Sequence, residues 1–271
     1  MTKHFNRVLL RAIGAVVLVA APAQRLTAQT NDEARLILGI AVGYVGAVSL
    51  WDIPNQPIFP AFGPPDLFHL RREMHSDVSV SGHATYFSGP HLGVTGEFTY
   101  LGLGTTDGCE LAQDNGNLEL AAMCDGLKGK IGTASTTVVN GGVVYRPFSR
   151  TGLQPYFKGM VGLAFTPSST IAMRSEYGAI ADTSLILTVY QDAGWKSIRP
   201  SGTLAFGIST APSSGYQIHA EVRETWMGLG VVTGPTSGQG FVPPSKTSLK
   251  GFTSVLVGFD VVLAKQRGRR Y

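Results

Sequence analysis

The stretch Leu92-Gly93-Val94-Thr95-Gly96-Glu97-Phe98-Thr99-Tyr100-Leu101-Gly102-Leu103 decides the fold class. Leu92, Val94, Phe98 and Tyr100 share one parity, and Thr95, Glu97 and Thr99 share the other. An apolar period of two belongs to a strand with two unlike faces. At about ten residues the run matches a tilted membrane-crossing strand, which needs roughly 9–11, better than a soluble strand of about five or six. The opposite face is small and polar and carries one charge. Such a strand fits an apolar outside against lipid and a narrow polar inside.

Seven further segments repeat the pattern: Leu36 to Trp51, Val78 to Phe87, Thr133 to Tyr145, Tyr156 to Phe165, Ser201 to Thr210, Tyr216 to Trp226 and Thr253 to Leu263. Their connections alternate in length. Ser88 to His91, Arg146 to Pro155 and Ala211 to Gly215 are turns rich in Gly, Pro and Ser. Asp52 to Asp77, Thr105 to Gly132, Thr166 to Pro200 and Gly230 to Lys250 are long. Within the third long connection, Ile171 to Tyr177 and Ser184 to Tyr190 have strand propensity but are short. They read as an extracellular hairpin, with a ten-stranded barrel as the alternative. The expected fold is all-β: an eight-stranded antiparallel up-and-down transmembrane β-barrel with short periplasmic turns and four long extracellular loops.

Composition agrees. Only 15% of the 271 residues are charged, against roughly 25% in ordinary soluble domains. Residues 1–28 read as a signal peptide: Lys3, His4 and Arg7 precede the apolar run Val8 to Ala23, and Leu26-Thr27-Ala28 offers a cleavage site. Residues 29–34 form a short lead, 35–263 the barrel and 264–271 a basic tail. Without the first 28 residues the chain has 18 basic and 18 acidic residues, so no basic face for nucleic acid is indicated. The localisation expected is the bacterial outer membrane.

On this pattern, over roughly Arg35 to Leu263, the chain resembles the small outer-membrane β-barrel proteins of the OmpA transmembrane-domain and OmpX/Ail type. Gly258, Val261 and Leu263 stand in the Gly-x-x-Φ-x-Φ places of that family's last strand, although no terminal aromatic follows and Leu256 replaces a usual polar residue. The resemblance implies outer-membrane lipids and, more weakly, the barrel-assembly machinery as partners.

Several residue groups could carry chemistry. Glu97, Lys158, Glu221 and Arg223 have inward parity and are expected to form a lumen charge network, because an unpaired buried charge is costly. A gate or ion relay is the alternative for them. His83 and His219 also point inward as lumen polar groups, while His69, His75 and His91 fall in loops or turns. His219 and Glu221 lie two apart on one face, but no serine completes a hydrolase pattern, so no catalysis is expected. Cys109 and Cys124 read as a loop disulfide in an oxidising compartment. No cofactor or metal is expected.

The apolar, Pro-rich run Ile58-Phe59-Pro60-Ala61-Phe62-Gly63-Pro64-Pro65 marks Ile58, Phe59 and Phe62 as candidates for recognition of an extracellular ligand. The function expected is a non-catalytic barrel with a structural or surface-recognition role. The alternatives are a narrow channel for small solutes, a soluble periplasmic barrel around a lipophilic ligand, and a lipid-modifying enzyme.

Overall fold

The computed structural model describes residues 32–60, 63–148, 152–179, 183–210, 215–237 and 240–267. The expected signal peptide, residues 1–28, and Phe62 lie outside them.

Eight strands close the barrel: β1 (Asp32–Val45), β4 (Asp77–Phe87), β5 (Leu92–Leu101), β8 (Thr136–Tyr145), β9 (Leu153–Phe165), β12 (Ile198–Thr210), β13 (Tyr216–Val232) and β14 (Ser245–Arg267). Each pairs antiparallel with the next along the chain, and β1 pairs with both β4 and β14 to complete the ring. Closure leaves no unpaired edge, which a strand in hydrocarbon cannot tolerate. Gly152 (φ 118°) and Gly215 (φ 90°) supply left-handed backbone to two of the short turns.

The faces are inside-out relative to a soluble barrel. Phe98 is 53% exposed, while its neighbours Glu97 and Thr99 are 4% exposed. The same alternation runs through β5 from end to end. Tyr44, Tyr100 and Phe165 ring the end carrying the long connections, and Tyr86, Tyr145 and Tyr216 ring the short-turn end, all exposed. From Phe157 to Phe165 on β9 the apolar face spans about 20 Å for a strand tilted by about 40°. This belt excludes the soluble-barrel alternative, which needs the apolar parity inside.

The long connections are folded rather than irregular. β2 (Val48–Ile58), β3 (Asp66–His75), β6 (Gly104–Gln113) and β7 (Ile131–Thr133) form a four-stranded sheet, and α1 (Leu118–Leu127) follows β6. β10 (Met173–Ala179) and β11 (Thr183–Tyr190) make the hairpin expected in the third connection, so the barrel has eight strands and not ten. These elements form a cap over the extracellular mouth.

Several assignments differ from the sequence reading. The first segment is two strands: β1 stops at Val45, and Leu50 and Trp51 lie buried in the cap. Period two persists across the break because a protein core and lipid ask for the same apolar face. β13 runs six residues past Trp226. β14 begins before Thr253 and continues to Arg267, pairing Lys265 with Ala34 and Arg267 with Asp32, so both the lead and the tail contribute backbone to the barrel. His69 and His75 sit on β3 rather than in a loop.

Candidate functional site

The lumen is built in layers. At mid-height, Glu97 on β5, Lys158 on β9 and Glu221 and Arg223 on β13 meet, each at most 6% exposed. Lys158 Nζ lies 2.7 Å from Glu221 Oε2 and 3.5 Å from Glu97 Oε2. Arg223 Nε lies 3.0 Å from Glu221 Oε1, and its Nη1 pairs closely with Glu97 Oε1. Each carboxylate therefore touches both cations, and the quartet is neutral as a unit. Further hydrogen bonds lock it: Tyr156 donates to Glu221 Oε2 (2.9 Å) and Thr99 to Glu97 Oε1 (2.9 Å). That density of partners is what buried charge requires.

Toward the periplasm lies a second group that the sequence reading did not assemble. Asp260 of β14 sits between His83 of β4 and His219 of β13, its Oδ1 3.4 Å from His83 Nε2 and 3.0 Å from His219 Nδ1. Gln217 Nε2 donates to Asp260 Oδ2 at 2.7 Å. Asp260 has inward parity with Ser254 and Gly258, so its place was legible. Its convergence with two histidines on other strands was not. Below this group, Ile37, Phe87, Val144, Tyr156 and Val262 form an apolar floor, with the Arg146 guanidinium 3.4 Å over the Phe87 ring.

Above the quartet the mouth turns apolar. Val45, Leu101, Val138, Ala164, Met227 and Phe252 of the barrel pack in one buried cluster with Trp51, Phe68, Leu70, Met74, Met123 and Leu127 of the cap. Polar ties hold the cap's parts in register. Arg72 on β3 makes a two-pronged pair with Asp107 on β6 (2.6 and 2.8 Å) and donates to the carbonyls of Thr170 (3.2 Å) and Ala172 (2.7 Å). Gln56 accepts from the Tyr190 hydroxyl (2.9 Å) and the Thr236 amide (2.8 Å), joining the first, third and fourth connections. Burial pushes the Tyr190 hydroxyl well above its ordinary pKa, so it stays a neutral donor. The Cys109–Cys124 disulfide fastens α1 to β6, with Cα atoms 5.4 Å apart.

An open cleft of about 360 Å³ lies at the cap surface. Ile58 and Phe59, two of the recognition candidates, line it together with Met123, Val189 and Phe241. Phe59 and Phe241 are exposed and Ile58 is half-buried against the cap core.

A closed antiparallel barrel with a lipid-facing belt, aromatic rings at both ends and a polar interior is the architecture of bacterial outer-membrane proteins. The protein is an outer-membrane β-barrel with a folded extracellular cap. No protein-family model matches the chain, and no curated protein matches it. Solved structures similar to it include Neisserial surface protein A (10% identity, 84% of this chain and 97% of that chain, TM-score 0.41). Outer membrane protein AlkL in lipid bilayers is another (11% identity, 92% and 98%, TM-score 0.41). A third is Ail, the attachment invasion locus protein of Yersinia pestis (12% identity, 83% and 99%, TM-score 0.35). The class is set by the chain's own belt and lumen, independently of these alignments.

Proposed function

We propose that the protein is a non-conducting, non-catalytic barrel that holds a rigid recognition surface outside the cell. The observation that carries this reading is the cap: one buried core joins it to the barrel mouth, two polar ties and a disulfide hold its parts together, and an open cleft of mixed lining is left between Phe59 and Phe241. A preformed cleft of this size suits an apolar or aromatic group of a partner, because little ordering accompanies binding. The channel alternative needs a continuous water path. The neutral quartet, the floor and the cap core all work against one.

Selection of displayed peptides on protein held in lipid nanodiscs tests the reading. Enrichment of aromatic or aliphatic peptides that lose binding to Phe59→Ser and Phe241→Ser is expected. No enrichment, or enrichment indifferent to both substitutions, overturns it.

A further inference from the structure

We infer that His83, His219 and Asp260 form a binding site for a divalent cation of the zinc type inside the periplasmic half of the lumen. One donor atom from each residue lies within 4.8 Å of the others. Around a tetrahedral ion with bonds of about 2.0–2.2 Å, donor atoms stand about 3.3 Å apart. The separations of His83 Nε2 and His219 Nδ1 from Asp260 Oδ1, 3.4 and 3.0 Å, bracket that value. Two imidazole nitrogens and one carboxylate oxygen favour zinc, nickel or copper over magnesium or calcium, which take all-oxygen sets.

Three observations together support a ligand here, the first of them shared with the quartet, whose Arg223 Nε and Glu221 Oε1 also lie 3.0 Å apart without a hydrogen bond. First, His219 Nδ1, Asp260 Oδ1 and Gln217 Oε1 are buried and have no hydrogen-bond partner among the described residues, although His219 and Asp260 are only 3.0 Å apart. Buried polar atoms are normally satisfied. An ion between His219 and Asp260 uses the lone pairs of both, where a misaligned contact does not. Second, the space is carved by glycine. A Cβ at Gly39 would overlap Asp260 Oδ1 and the His83 ring, and a Cβ at Gly258 would overlap the His219 ring. Third, a cavity of about 30 Å³ adjoins the group, enough for one water as a fourth ligand.

Two cations line this cavity, and the Arg146 guanidinium is stacked over the Phe87 ring. Lys158 reaches into this cavity, but its ammonium is held by Glu97 and Glu221. Gln217, hydrogen-bonded to Asp260 Oδ2, orients the carboxylate so that Oδ1 faces the histidines, the kind of outer support that metal-binding carboxylates need.

The test uses the whole mature chain, refolded into detergent with Zn²⁺, Co²⁺ or Mg²⁺ present, because cap and floor close both ends of the lumen. Metal retained after chelator washing and gel filtration is counted per chain. One Zn²⁺ or Co²⁺ per chain and no Mg²⁺ is expected. The count should fall at least tenfold in His83→Gln/His219→Gln and stay unchanged in His69→Gln, which removes the surface histidine near Asp52 and Glu110. No retained metal in the wild type, or an unchanged count in the double variant, overturns the site. If the double variant does not regain heat-modifiable mobility, X-ray absorption of the wild-type Co²⁺ form decides. Two imidazoles with oxygen ligands support the assignment, and an all-oxygen shell overturns it.

Discussion

Arg223 on β13 reaches across the whole lumen to pair with Glu97 on β5, the strand four places away in the ring of eight. A pair between opposite walls closes the interior in a way that a pair between neighbouring strands does not. It also explains why the quartet needs four members. One cross-lumen pair would leave each carboxylate half-satisfied, and Lys158 and the second glutamate complete the circuit.

Removing one member should therefore cost more than removing a pair. Glu221→Gln leaves two cations facing one carboxylate, a change of about 3–5 kcal/mol for breaking a buried pair. Glu221→Leu with Lys158→Met removes one charge of each sign and is expected to cost less than Glu221→Gln alone. Urea unfolding in micelles, followed by the mobility difference between boiled and unboiled samples, measures both. A larger loss in the double variant than in Glu221→Gln would show that the charges act independently.

The same logic holds outside the membrane. Arg72 and Asp107 are buried together in the cap, and Arg72 carries two carbonyl contacts besides. Arg72→Met should destabilise the cap by about 3–5 kcal/mol and leave the barrel folded. Limited proteolysis should then cut within the cap while the heat-modifiable band survives. A loss of the band itself would mean that cap and barrel fold as one unit.

Reduction of Cys109–Cys124 should act in the same place and more mildly. The bond closes a 15-residue separation, worth up to about 3 kcal/mol in the chain-entropy model. Cys109→Ser/Cys124→Ser is expected to speed cleavage between β6 and β7 without changing barrel mobility.

Planar-bilayer recording should show no single-channel steps for the wild type. Apolar groups fill both ends of the lumen, the cap cluster above and the floor at Phe87 and Val144 below. Stepwise conductance would revive the channel reading and require the cap to swing away.

The barrel was legible because lipid and lumen impose one strict alternation over eight segments, and parity alone put Glu97, Lys158, Glu221, Arg223, His83 and His219 inside. What parity lacks is register between strands distant in sequence. Asp260 and His83 are 177 positions apart, and nothing local says they share a level. The cap was harder still. Val48 and Leu50 carry the same apolar parity as Ile40 and Val42, but they face a protein core instead of lipid. The cleft was hidden for a similar reason: Ile58 and Phe59 share it with Phe241, which lies far along the chain and within no motif.

Tyr190 gives the cap a pH dependence of fixed sign. Its folded pKa is raised by burial above the ordinary value of about 10. The unfolded chain therefore loses this proton first as pH rises, and stability falls from about pH 10 upward toward the folded pKa, being fully present below. Tyr190→Phe removes the ionisation and also the hydrogen bond to Gln56, at about 1 kcal/mol. The wild type should thus exceed the variant in cap stability at neutral pH, and the margin should shrink above pH 10, as read by proteolysis rates within the cap. A margin that stays constant through pH 11 would mean that Tyr190 ionises as freely folded as unfolded, against its burial in the core beside Trp51.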